Sequence, residues 1–98
     1  MAEGNGNKTI QLVFEPSATA SFLQRVRSEL QKASVAQVTV KMHEVSYVDP
    51  GALEILQTAG ETARSAGKTI VIEGVRPGVY KALHLAKLAE LFRRAHHG

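Results

Sequence analysis

Ile10, Leu12 and Phe14 alternate with Gln11 and Val13, and this period of two predicts a strand that Pro16 ends. The period then lengthens. Phe22, Leu23, Val26, Leu30 and Ala33 recur at helical spacing, with Gln24, Arg25, Arg27, Glu29 and Lys32 between them, which predicts a one-sided helix. Ser17 or Thr19 is the expected cap, and Ser21-x-x-Gln24 forms a weak capping box. Val38, Val40 and Met42 alternate with Gln37, Thr39 and Lys41 in a second strand. Residues 43–48 form a connector, with Val45 and Val48 expected inside. Ala52, Ile55, Leu56, Ala59 and Ala63 make the apolar stripe of a second helix, which Gly67 stops. The β-branched run Thr69–Glu73 reads as a third strand, buried on both faces. Gly74 and Pro77-Gly78 are expected in a turn. Residues 79–95 are expected in a last helix, with Val79, Leu83, Ala86, Leu91 and Phe92 on its apolar side.

Strands that alternate with helices imply parallel pairing through right-handed crossovers. The predicted fold is therefore α/β: a single domain with a mainly parallel central sheet packed by amphipathic helices. The Gly- and Asn-rich residues 1–8 read as a flexible tail and residues 9–95 as the domain.

Composition excludes several chemistries. The chain has 98 residues, 44% of them hydrophobic and 21% charged, which is ordinary for one globular domain. There is no cysteine, so disulfides, thiolate metal sites and a thiol nucleophile are excluded. No apolar run approaches the ~20 residues of a membrane helix, and the N-terminal stretch is polar, so a cytoplasmic protein without membrane insertion is expected. The net charge of +3 is scattered, with no basic run longer than the pair Arg93-Arg94. No aromatics interleave with it, so no nucleic-acid partner is expected.

Candidate reactive residues are few. His96 and His97 are adjacent and cannot share a helix face, and His43 and His84 lack an acidic partner at ligand spacing, so neither a metal nor a cofactor is expected. Glu54 and Glu61 belong to the polar side of the second helix, and Glu44 and Asp49 complete no catalytic pattern. Neither a Gly-x-Ser-x-Gly motif nor a phosphate loop is present, and no enzymatic activity is expected. The last helix is amphipathic and ends in Arg93-Arg94, cations that suit a helix C-terminus. Closing the core through Leu83, Leu91 and Phe92 explains it more simply than a membrane surface does.

The most specific local feature is Tyr47-Val48-Asp49-Pro50-Gly51-Ala52-Leu53. Pro50 suits the first helical position, and it pushes Asp49 towards the extended geometry of an N-cap. The loop also lies beyond the carboxyl end of a strand, where open α/β sheets present their sites.

Residues 38–92 resemble the STAS domain family, which includes bacterial anti-sigma factor antagonists and cytoplasmic domains of sulfate transporters. The matching parts are VTVKM, HEV, YV, DPGAL, EILQTAGETARSAG, KTIVIEGV, RPGVYKAL and LAELF, and FEPSATASFLQRVRSEL resembles the family's first helix. The family opens its second helix with Asp-Ser-Ser-Gly-Leu. Asp49 falls on the Asp, Pro50 on the first Ser, Gly51 on the second Ser, Ala52 on the Gly and Leu53 on the Leu. The second Ser is the one that partner-switching kinases phosphorylate. Gly51 has no hydroxyl, so the resemblance implies a member that is not phosphorylated at the usual site, with Ser46 and Thr58 as weak substitute acceptors. Lys41 and Lys87 also depart from the family's usual Asp and Gly.

The resemblance implies non-catalytic protein recognition by an anti-sigma factor antagonist-like regulator in bacterial signalling. The expected surface is Asp49, Pro50, Gly51, Leu53, Glu54 and Gln57, with Tyr47 and His43 beside it. The expected partner is an anti-sigma or kinase-like signalling protein. The alternatives are a chemotaxis-type signalling cluster, or a transporter ATPase if the chain is the accessory STAS subunit of an ABC-type lipid transporter. Many members carry an N-terminal hairpin that this sequence lacks. Its lack would leave the strand at residues 10–14 on an exposed edge, so a monomer or a weak dimer is expected.

Overall fold

The computed structural model describes residues 8–86 and 93–94. Along the chain run β1 (Lys8–Val13), a 3-10 turn (Pro16–Ala18), α1 (Thr19–Leu30), β2 (Val35–Lys41), α2 (Pro50–Ser65), β3 (Thr69–Glu73), α3 (Pro77–Leu85) and β4 (Arg93–Arg94). The strands form one sheet in the order β1-β2-β3-β4, and every adjacent pair is parallel. This is the α/β fold that the alternating elements predict, because parallel neighbours need a crossover and here each crossover carries a helix.

Register decides which side of the sheet holds the core. Ile10, Val38 and Ile70 form one cross-strand row, and Leu12, Val40 and Ile72 the next. These side chains share a cluster with Phe22, Val26 and Leu30 of α1, Leu56, Ala59 and Ala63 of α2, and Val79 and Leu83 of α3. The buried sides of all three helices thus belong to the same sheet face. Phe14 and Phe22 lock β1 to α1 edge to face, with ring centroids 4.9 Å apart. Thr9, Gln37 and Thr69 share the opposite face with Gln11, Thr39 and Val71, and with Val13, Lys41 and Glu73. Thr39 and Val71 are buried there, so β2 and β3 are covered on both sides at this row. The alternation in β2 had predicted an exposed Thr39.

A bulge explains why β2 begins earlier than its alternation suggests. Lys8 opposes Val35 and Thr9 opposes Gln37, which leaves Ala36 as an extra residue. The extra residue reverses the alternation, so Val35 joins Val38 and Val40 in the core.

Other expectations fail for identifiable reasons. Neither Ser17 nor Thr19 caps α1, whose N-cap is Ala18 without a side-chain bond. Pro16 starts the 3-10 turn, and the Ala18 amide donates to Glu15 O at 2.9 Å, so the chain is already coiled on entering the helix. Ser21 lies inside α1, which rules out the Ser21–Gln24 capping box, and Ala33 lies beyond the end of α1 and is exposed. Pro77 and Gly78 open α3 rather than forming a turn, with Pro77 in the first helical position. The last helix stops at Leu85, and Arg93-Arg94 pair with Val71 and Ile72 as β4. The arginines therefore do not end a helix: pairing with the free side of β3 overrides a locally helical pattern. Residues 1–7, Lys87, Leu91, Phe92, His96 and His97 lie outside the described residues.

Candidate functional site

The β2–α2 connector is held by what it buries. Val45 and Val48 sit in the core, and the Val45 amide donates to Met42 O at 3.1 Å. Between these two anchors Ser46 and Tyr47 point outward, and Tyr47 is 70% exposed. An exposed tyrosine on a pinned loop is an amphipathic contact surface with little entropy left to lose.

Asp49 performs the capping role predicted for it. Its backbone is extended, and its Oδ1 accepts the Ala52 amide at 2.8 Å. Its carbonyl accepts the Leu53 amide at 3.0 Å, the first bond of α2. Pro50 occupies the first helical position. The helix then presents Pro50, Gly51, Glu54, Gln57 and Glu61 to solvent, while Leu53 is half-buried against the core. Gln57 Nε2 donates to Glu61 Oε2 at 3.4 Å along this stripe. The exposed strip is thus acidic and amide-bearing, with Leu53 at its margin.

Gly51 is not a glycine for backbone reasons. Its φ is not positive, and a Cβ there would meet Asp49 Oδ1 at 3.5 Å, an ordinary contact. A serine side chain would fit there. Of the two substitute acceptors, Thr58 is half-buried and its Oγ1 already donates to Glu54 O at 3.0 Å. Ser46 is exposed on the connector.

His43 ties this connector to the next loop, a role its sequence position does not reveal. Its imidazole packs directly over Gly74, in the space a Cβ would need, and Gly74 itself has φ +72°. The His43 carbonyl accepts Arg76 Nε at 3.1 Å. The β2–α2 and β3–α3 loops are therefore coupled, and Arg76 and Gly74 join the site as supports. The one sequence signal was Gly74 read as a turn. His84 stacks on Tyr80 with ring centroids 6.2 Å apart. Among the described residues no group of His, Asp and Glu comes together that would hold a metal ion. Among them, too, no helix is long and apolar enough to cross a membrane.

A family model described as "Mlab, STAS domain" matches residues 9–93. None of the curated proteins compared matches the chain. STAS domains are generally non-enzymatic regulatory domains that bind other proteins. With the match spanning β1 to β4, over a parallel sheet crossed by three helices, the chain belongs to the STAS domain family.

Proposed function

We propose that the chain is a protein-binding regulator that docks through the first half of α2. The carrying observation is the stripe Asp49, Pro50, Gly51, Leu53, Glu54 and Gln57 on a capped, proline-started helix, flanked by exposed Tyr47 and by His43. Leu53 and Tyr47 supply apolar anchors. Glu54 asks for a cation or an amide donor opposite, so the complementary partner surface is an apolar recess with a basic rim. The anti-sigma factor antagonist-like role fits this surface, and the partner is then an anti-sigma or kinase-like signalling protein, or a component of a chemotaxis-type cluster.

Gly51 favours a second reading on the same surface. A position without a phosphoryl acceptor cannot be switched by phosphate. A permanently docked member, such as the accessory subunit of an ABC-type lipid transporter bound to its ATPase, needs no such switch.

Affinity capture with wild type and Leu53→Arg tests both. Leu53→Arg keeps the circular dichroism spectrum and abolishes capture if α2 is the surface. A kinase-like or anti-sigma partner supports the first reading, and a transporter ATPase the second. A folded Leu53→Arg that captures the same partner as wild type removes α2 from consideration.

A further inference from the structure

β1 is an edge strand: among the described residues it pairs only with β2. Two amides fix which way its backbone faces. Lys8 donates to Ser34 O and Phe14 donates to Lys41 O, both at 3.0 Å. Backbone groups alternate sides along a strand, so the even-numbered positions face β2. Thr9, Gln11 and Val13 therefore aim their N–H and C=O groups away from the sheet. All three are exposed, Val13 to 50%. A groove of about 280 Å³ lies beside Gln11 and Val13, lined also by Glu15, Phe22 and Arg25.

We propose that this edge pairs with the same edge of a second copy of the chain, antiparallel about a two-fold axis through Gln11. In an antiparallel pair, opposed residues share a sheet face, and outward backbone groups must oppose outward backbone groups. Placing Gln11 opposite Gln11 satisfies both conditions. Thr9 then opposes Val13, Ile10 opposes Leu12, and every outward position of β1 enters a hydrogen-bonded pair. A shift by two residues in either direction leaves one outward position without a partner within β1. The pairing keeps the helices of both copies on one face and covers half-buried Ile10 with the other copy's Leu12.

Charge favours this orientation. Lys8 begins the strand and Glu15 follows its end, so antiparallel pairing brings the lysine end of one copy to the glutamate end of the other. Parallel pairing would set lysine beside lysine and glutamate beside glutamate. The closed two-fold arrangement also blunts an edge that would otherwise invite open-ended pairing.

Sedimentation of the full chain across concentration, with two variants, decides the matter. Gln11→Pro removes an amide that points away from β2, a loss an edge strand tolerates, so the internal ladder stays whole. The expected result is a wild type whose mass doubles with concentration and a Gln11→Pro variant that keeps its circular dichroism spectrum but stays monomeric. Because the chain has no cysteine, Gln11→Cys offers an independent reading. Hydrogen-bonded antiparallel partners lie about 5.5 Å apart at Cα, within disulfide reach. Oxidised Gln11→Cys should form a covalent dimer, and Ser65→Cys, exposed on α2, should not. A wild type that remains monomeric throughout overturns the proposal. So does a dimer that survives in Gln11→Pro, or cross-linking of Gln11→Cys no greater than that of Ser65→Cys.

Discussion

The two ends of the sheet are closed in different ways. At the amino end of β3, α2 finishes in a Schellman motif: Gly67 has φ +71° and donates to Arg64 O, and the Lys68 amide donates to Ala63 O. That turn sends the Lys68 side chain across to α1, where Nζ donates to Leu30 O at 2.9 Å and Lys32 O at 2.6 Å. A cation thus satisfies carbonyls at a helix C-terminus. At the carboxyl end the side-chain tie is lighter: beside the backbone bond from the Met42 amide to Glu73 O at 2.9 Å there is one exposed bond from Arg76 to His43, and one ring resting on a glycine. At the amino end the Lys68 ammonium is thus turned onto backbone carbonyls of the chain itself. The carboxyl end leaves Asp49, Tyr47 and Glu54 outward.

Three substitutions can break or sharpen this contrast. Gly74→Ala should have the largest effect. It places a Cβ where the His43 ring lies and adds the cost of φ +72° for a non-glycine residue, about 1–2 kcal/mol from the backbone alone. Chemical denaturation should show a loss of about 2 kcal/mol or more, with partner binding reduced as well. Combining it with His43→Ala should restore the part due to the clash and leave the part due to the backbone. Lys68→Met keeps the stem and removes both charge-assisted bonds, so a loss of about 1–3 kcal/mol is expected. Its binding should match wild type, because the proposed docking surface lies at the carboxyl end. Weakened binding in a folded Lys68→Met chain would erase the contrast. Gly51→Ser should matter least, within about 0.5 kcal/mol of wild type by thermal unfolding, because the side chain has room and is exposed. What it should change is chemistry: incubation with a partner-switching kinase should label Gly51→Ser and leave wild type unlabelled.

A different contrast, local against distant, governs what the sequence revealed. Elements held by local periodicity were legible: the α2 stripe at Leu56 and Ala59, the buried run in β3, and the cap written as Asp49-Pro50. Features made by distant pairing were not. Val35 entered the core through a bulge that exists only because β1 lies alongside. Arg93-Arg94 became a strand because β3 had a free side, although their own neighbourhood reads as helical. Lys68 looked like scattered surface charge, since a bond to Leu30 leaves no local signature. His43 was named for the candidate surface by its position, and its contact with Gly74 could be found only in the folded chain.

The register carries a consequence for how the molecule folds. Ile10 meets Val38, and Val38 meets Ile70, so no two neighbouring strands of the core can be joined by a hairpin. Each pairing must close a long crossover that carries a helix, a cost that a hairpin avoids. The expected folding nucleus is α1 or α2 together with the two strands it spans. Truncations at Val26 or Leu56 should slow folding, whereas changes at Thr9 or Gln11 on the outer edge should show mainly in the rate of unfolding.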